Sequence, residues 1–291
     1  MRAWWSPDGT MWSRHTLTLL AVLLPHPGWS EELKIATWNL DWLTTRAAGD
    51  FLPPDVIPRS EEDFARLAAY AQQLNADVVA IEEVDGTSAA AKVFPHDRYS
   101  IHMTHDRVIQ RVGIVVRRGL HYDINPDVTA LAESHLRSAA DVTLHLGSVD
   151  LRILAVHLKK GCRDQPLPRA KSPACVELED QVAPLVNWIT ERKNEGVPFI
   201  ILGDFNRWMD GRDAFLADLR KAAPLVRATE GRSSPCWGSE NFIDHILAGG
   251  DAANWMQPST LRVLIYRETE PAWRDRLSDH CPVSVRFLVP D

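Results

Sequence analysis

The chain has 291 residues, 45% of them hydrophobic and 24% charged, with a formal net charge of −7 and 4 cysteines. That length admits one large α/β domain or two small ones with a sizeable core, and the composition is that of an ordinary soluble globular protein. The acidic balance argues against a general polyanion-binding surface but leaves room for a local cationic groove, because phosphate contacts depend on the local field.

Residues 1–30 stand apart. Thr16 to Leu24 is a short apolar run, preceded by Arg14 and His15 and followed by Pro25, Pro27 and Gly28-Trp29-Ser30. A basic flank, an apolar run of about ten residues and small residues at −3 and −1 describe a secretory signal peptide. Starting at Met11 would make its basic region more conventional. The run is too short for a spanning helix, which needs roughly 20 residues, so no stable membrane insertion is expected. A buried N-terminal helix is the competing reading. The expectations are a signal peptide over 1–30, a secreted or periplasmic product, and a single domain over 31–291 acting as a monomer.

Lys34 to Asn39 reads as the first strand after that segment, and Asp50 to Arg59, with three prolines, as a loop. Ser60-Glu61-Glu62-Asp63 is a helix start with an acidic first turn, after which Phe64, Leu67, Ala68, Ala71 and Leu74 share one face. Asp77 to Ile81 is a buried-type strand ending in Glu82-Glu83, and Gly86 to Phe94 a short helix. Arg98 to Met103 and Arg111 to Arg117 read as strands, while Leu120 to Ser138 carries no clear period. Val142 to Leu146, Gly147-Ser148 and Asp150 to His157 read as a hairpin. One long amphipathic helix is expected over Val176 to Lys193, a strand over Pro198 to Leu202 and a helix over Asp213 to Lys221. Strands follow over Asn241 to Ala248, Leu261 to Tyr266 and Val283 to Val289. Strands outnumber helices and several neighbours are close enough for hairpins, which points to two mixed sheets packed face to face with helices outside.

Cys162 and Cys175 bracket a polar, proline-bearing loop, an arrangement suited to a local disulfide in an exported protein. Cys236 and Cys281 are either a second pair or two free buried thiols. No Cys-x-x-Cys spacing supports a zinc site.

The apolar run Phe199 to Leu202 stops at Gly203, and the next turn presents Asp204 and Asn206. If the extended conformation persists, both side chains project to one side. An acceptor-only carboxylate beside a carboxamide suits positioning a water against an anionic oxygen. The bland alternative is an Asx-type turn closing a strand. Other polar residues recur at strand ends: Asn39, Glu83, His157, Asp244 and Asp279-His280. Sites commonly form on loops at one end of a rigid sheet scaffold.

Taken in order, Asn39, Glu83, His157, Gly203-Asp204-Phe205-Asn206, Ile243-Asp244-His245 and Ser278-Asp279-His280-Cys281-Pro282 resemble the motifs of the endonuclease/exonuclease/phosphatase superfamily. The resemblance spans Lys34 to Val289 and implies a four-layered α/β/β/α sandwich of two mixed sheets flanked by helices. It further implies a divalent-metal phosphoric ester hydrolase. By it, Asn39, Glu83 and Asp279 form the metal-binding end, with Asn39 a ligand or a phosphate contact and Glu82 competing with Glu83 for the ligand position. Hard oxygen ligands suit Mg²⁺, with Mn²⁺ or Ca²⁺ as alternatives. Asp204, positioned by Asn206, corresponds to the group that takes a proton from water, and Asp244 to the carboxylate that orients His280. His157 matches a second histidine facing the leaving oxygen. The deoxyribonuclease branch pairs that histidine with a glutamate, and Gln110 stands in its place here. Arg111, Lys159 and Lys160 are candidate phosphate contacts, with solvated charges as the plain alternative. Trp208 reads first as a packed tryptophan and second as a face on which a base or sugar could stack.

His157 and Ser-Asp-His-Cys-Pro favour cleavage of a phosphodiester, with nucleic acid as the leading substrate. A sphingomyelinase-like or other phosphoesterase is the alternative, although no exposed aromatic-aliphatic hairpin for entering a bilayer is evident. A fold-retaining binding protein without catalysis would lack principal ligands, and none is missing.

Overall fold

In a computed structural model, the described residues are 31–133, 136–167, 171–238 and 240–290, so the signal-peptide expectation over 1–30 lies outside them. In chain order the elements are β1 (Glu31–Leu43), α1 (Glu61–Leu74), β2 (Val78–Val84), α2 (Thr87–Val93), β3 (Tyr99–Met103), β4 (Arg111–Arg117), β5 (His121–Ile124), β6 (Ala140–Leu146) and β7 (Val149–His157). They continue with α3 (Pro173–Asp180), α4 (Val182–Glu195), β8 (Phe199–Asp204), α5 (Ala214–Ala222), β9 (Leu225–Arg227), β10 (Ser233–Ser234), β11 (Glu240–Asn241), β12 (Asp244–Gly249), α6 (Ala252–Trp255), β13 (Met256–Val263), α7 (Ala272–Arg276) and β14 (Val283–Val289).

Two six-stranded sheets result, ordered β13-β14-β1-β2-β4-β3 and β5-β6-β7-β8-β12-β9. Each contains one parallel pair at its centre, β1–β2 and β7–β8, among antiparallel neighbours. Parallel neighbours need a crossover: α1 carries the chain from β1 to β2, and α3 with α4 carries it from β7 to β8.

Side-chain alternation along the central strands divides the apolar residues into layers. Leu33, Ile35, Ile153, Ala155, Ile200 and Leu202 fill the space between the sheets. Their neighbours Ala36 and Trp38 pack outward against Phe64, Leu67 and Leu74 of α1. On the other side Leu154, Val156, Phe199 and Ile201 pack against Leu185, Trp188 and Ile189 of α4. The outcome is the expected four-layered α/β/β/α sandwich. Truncating a ring as enclosed as Phe199, which meets Trp188 edge-on at 5.6 Å, should cost about 3–5 kcal/mol.

Helix α1 starts where the sequence says. The Ser60 hydroxyl accepts from the Asp63 N–H at 3.2 Å and the Asp63 carboxylate accepts from the Ser60 N–H at 2.9 Å, a reciprocal capping box. Elsewhere the boundaries differ. The single helix expected over 176–193 is two, α3 and α4, meeting at Gln181. Pro184 accounts for the break, since proline fits only the first turn of a helix and so requires a fresh start just before it. The stretch Leu120 to Ser138 supplies edge strand β5 and a 3₁₀ turn at Thr129–Leu131. The strand expected over 261–266 lies earlier, at Met256–Val263.

Candidate active site

Ladder register brings the candidate residues together. His157 pairs with Asp204 across β7–β8, Asp204 with Asp244 across β8–β12, and Asn39 with Glu82 across β1–β2. The central strands of both sheets therefore end at one place, where a hydrogen bond joins them: Asn39 Nδ2 donates to Asp204 Oδ2 at 3.1 Å. Gly203 makes the approach of β8 to β7 possible. Its φ is +144°, and a Cβ there would stand 1.9 Å from the Val156 carbonyl oxygen, so any other residue would displace the strand end that carries Asp204.

The extended conformation stops at Asp204, and Asn206 has a φ of +52°. Its N–H donates to Asp204 Oδ1 at 2.7 Å, and its side-chain amide donates to Asp204 Oδ2 and to the Leu158 carbonyl, each at 3.1 Å. The Asx turn and the aligned Asp-Asn pair are thus one structure rather than alternatives. Asp204 is 1% exposed, and burial raises its carboxyl to about 7 against the pull of His280.

A β-bulge separates the adjacent glutamates. Pairing between β2 and β4 shifts register between Ile81 and Val84, and Glu83 takes a φ of +59°, a local distortion of the kind that re-aims side chains at active sites. Glu82 turns inward, accepts from Thr37 Oγ1 at 3.0 Å and is held well above the ordinary carboxyl range by burial, with Asp244 and Asp204 adding to it. Glu83 faces the site, where its Oε1 accepts from Asn39 Nδ2 at 3.2 Å and lies 3.6 Å from His157 Nε2.

Sequence reading missed Asp41. Its N–H donates to Asn39 Oδ1 at 2.9 Å, which fixes that amide with Nδ2 toward Glu83 and Asp204. Burial and then Asp279 raise the Asp41 carboxyl to about 7, although the buried guanidinium of Arg59 stands 3.6 Å away. The signal was present: Asn39-Leu40-Asp41 is Asp204-Phe205-Asn206 with its polar ends exchanged.

His280 Nδ1 lies 3.0 and 2.9 Å from the two oxygens of Asp244, and its Nε2 is 3.7 Å from Asp204 Oδ2 and 3.6 Å from Asp279 Oδ1. Burial alone would lower this imidazole, but Asp244, Asp204 and Asp279 outweigh it and hold the ring well above its ordinary value, as an imidazolium. Its backbone is anchored by Ser278, whose hydroxyl donates to the Asn39 carbonyl at 2.7 Å and accepts from the His280 N–H at 3.0 Å. The neighbouring Cys281 is bonded to Cys236, and Cys162 to Cys175, so all four cysteines are paired.

The surroundings of His157 differ from expectation. Gln110 donates to Glu83, not to His157. The ring instead meets Arg137, whose Nε donates to Nδ1 at 3.1 Å and whose Nη2 lies 3.0 Å from Nε2. Burial, then Arg137, His280 and Lys160, push His157 well below its ordinary value, so it is neutral. Arg137 escaped sequence reading because it lies in the stretch without period. Arg111 packs against Gly86 with Asp85 at 3.7 Å, and Lys159 pairs with Glu177 at 2.6 Å. Neither is brought to the cluster. Lys160, exposed, lines the cleft that also holds Asn206, Asp244 and His280.

The donor set fits a hard divalent cation. Asp41, Glu83, Asp204, Asp244 and Asp279 crowd together, and the carboxyls of Asp41 and Asp204 are raised first by burial and then by neighbouring carboxylates, Asp279 and Asp244 respectively, a charge that such an ion would offset. Ligand atoms of Asp204, Asp244 and His280 lie within 4.8 Å of one another. An imidazolium already held by Asp244 offers no lone pair, however, so the flank of Asn39, Asp41 and Glu83 is the better cradle.

The sequence profile of the Endonuclease/Exonuclease/phosphatase family matches residues 36–280. Among solved structures, TDP2 from Caenorhabditis elegans superposes with a TM-score of 0.61 at 13% identity, over 89% of this chain and 75% of that one. The Neisseria 3′ phosphatase NExo, bound to a product DNA hairpin, gives 0.58 at 17% identity, over 88% and 99%. The human nocturnin catalytic domain with a bound sulfate gives 0.56 at 14% identity, over 88% and 94%. No curated protein matches the chain at the level of sequence.

Proposed function

Because the chain belongs to the endonuclease/exonuclease/phosphatase family and is a metal-dependent phosphoric ester hydrolase, we propose that it is an exported phosphodiesterase cleaving DNA or RNA, with residues 31–291 working as one monomeric domain. The observation that carries this reading is the convergence of Asn39, Asn206 and His280 on the Asp204 carboxylate. The two disulfides accord with export, and among the described residues no helix is long and apolar enough to cross a membrane.

A divalent cation held by Asn39, Asp41 and Glu83, with Asp279 alongside, would supply Lewis-acid charge to the phosphoryl oxygens. Asp204, with a carboxyl near 7, takes the proton of the attacking water, while the Asn206 amide holds the carboxylate in one orientation. Water oxygen bonds to phosphorus in line with the departing oxygen, whose bond to phosphorus breaks and which takes a proton from solvent as it leaves. The His280 imidazolium, kept charged by Asp244, donates to a non-bridging oxygen. On the far side His157 is neutral, which weakens it as an acid, and the permanent charge beside it belongs to Arg137.

Turnover by residues 31–291 with Mg²⁺ should be compared on DNA, RNA, sphingomyelin and a phosphomonoester at equal concentrations. Faster cleavage of sphingomyelin or of the monoester would overturn the nuclease reading and leave the hydrolase assignment standing.

A further inference from the structure

Beside the catalytic cleft lies a separate cavity of about 760 Å³, within the size range of small-molecule sites. Asn241 and Phe242 line both, so the two are neighbours across one wall. Resting on the nuclease reading above, we propose that this cavity is a subsite for a nucleotide flanking the scissile phosphate, with Arg227 meeting its phosphate and Trp208 stacking on its base.

Arg227 carries the argument. The residue is 7% exposed and forms part of the cavity wall. Its Nη1 donates to Thr229 Oγ1 at 3.1 Å, but its Nε has no hydrogen-bond partner, and among the described residues no carboxylate pairs with it. Burying a guanidinium without a counter-ion is unfavourable unless an anion arrives to complete it. Of the acids around it, Asp213 is engaged by Arg207 at 2.7 Å and Glu230 by Arg220 at 3.1 Å, while Asp210 accepts from the Arg212 N–H at 2.7 Å. A planar fork of donors matches phosphate geometry.

Trp208 supplies the second half. It is half-buried, belongs to none of the three apolar clusters and lines the same cavity. It stands two residues past Asn206, on the segment that runs from the catalytic turn into the cavity wall. Aromatic stacking tolerates any base, which suits a subsite that adds affinity without sequence choice.

The test compares a substrate that reaches the subsite with one that does not. On a tetranucleotide, Arg227→Gln should raise KM roughly tenfold to hundredfold, with kcat within about twofold of the wild type. On bis(p-nitrophenyl) phosphate, which has one phosphorus and no neighbour, the same variant should change kcat/KM less than about twofold. Trp208→Ala, which leaves the buried guanidinium in place, should show the same split with a factor of roughly 5 to 100, and it carries the test if Arg227→Gln does not fold. Equal losses on both substrates, or none on either, would overturn the subsite while the nuclease reading stands. If the wild type cleaves the chromogenic diester but no oligonucleotide, the nuclease reading itself fails and the subsite with it.

Discussion

Arg137 Nε donates to Nδ1 of His157 at 3.1 Å. A guanidinium there opposes protonation of the ring, so the pair presents one positive charge, and it resides on the arginine. Arg137→Gln is expected to lower kcat on a dinucleotide by roughly 10²–10³, the usual loss when a donor to a developing oxyanion is removed. Arg137→Lys should restore only part, because an ammonium lacks the planar fork. An activated nitrophenyl diester, whose leaving group needs little help, should suffer much less. Losses of equal size on the two substrates would place the action of Arg137 away from the leaving oxygen.

Metal binding and proton transfer should separate by rescue. Glu83→Gln and Asp41→Asn remove ligand charge from the Asn39 flank, so activity should fall and partly return at high Mg²⁺ or with Mn²⁺. Asp204→Asn and His280→Ala remove groups that a cation cannot replace and should stay inactive at every metal concentration. Titrating each variant with both metals decides this. Equal recovery in all four would mean that the roles are wrongly divided.

The two disulfides should differ in what they protect. Cys162–Cys175 spans 13 residues and Cys236–Cys281 spans 45. Loop-closure entropy then gives upper values of about 3 and about 4 kcal/mol. Cys281 adjoins His280, and Trp237 Nε1 donates to the Ser278 carbonyl at 2.9 Å, so the longer bridge also clamps the loop that carries the imidazolium. Paired serine substitutions at 236 and 281 should therefore lower both Tm and kcat, whereas those at 162 and 175 should lower Tm with little change in kcat. Scanning calorimetry beside initial rates would tell; unchanged kcat in the first pair would end the clamp.

What was legible in the sequence follows from where periodicity survives. Asp204, Asp244 and His157 stand at the ends of buried strands whose apolar runs are unbroken, so alternation placed them. Glu83 and Asp41 owe their directions to positive φ values, +59° and +44°, at residues that are not glycine. No propensity announces such conformations, because surrounding contacts impose them. Charge suggests Arg111 and nearness to His157 suggests Lys159, but Glu177, which pairs with Lys159, and Asp85, 3.7 Å from Arg111, become their neighbours only in the folded chain. The helix break at Gln181 could have been read from Pro184. Arg137 could not, for it sits on irregular backbone positioned by long-range contacts.

His245 makes stability depend on acid. It is fully buried, its Nδ1 lies 2.6 Å from the Thr229 hydroxyl and its Nε2 2.9 Å from the Arg207 carbonyl, and burial pushes it down to about 3 from an ordinary 6.5. The fold binds the neutral ring. Its contribution is therefore complete above the unfolded value and is lost as pH falls from 6.5 toward 3, at up to about 1.4 kcal/mol per pH unit. Urea midpoints measured in chelator from pH 7.5 downward should fall more steeply for the wild type than for His245→Gln. Parallel lines would show that another group drives the acid limb.

The last expectation concerns the two lysines after His157. Lys159 is tied to Glu177 at 2.6 Å, so its charge is already partly answered. Lys160 is exposed at the mouth of the cleft that holds Asn206, Asp244 and His280. Only the second is placed to exchange a condensed counterion for a substrate phosphate, and each such exchange contributes about 0.7–0.9 to the slope of log affinity against log salt. Lys160→Ala should flatten that slope by about this amount, while Lys159→Ala should leave it nearly unchanged. Binding to inactive Asp204→Asn protein between 50 and 200 mM salt would measure both. A flattening confined to Lys159→Ala would mean that Glu177 releases its partner when nucleic acid binds, and the approach path drawn through Lys160 would be wrong.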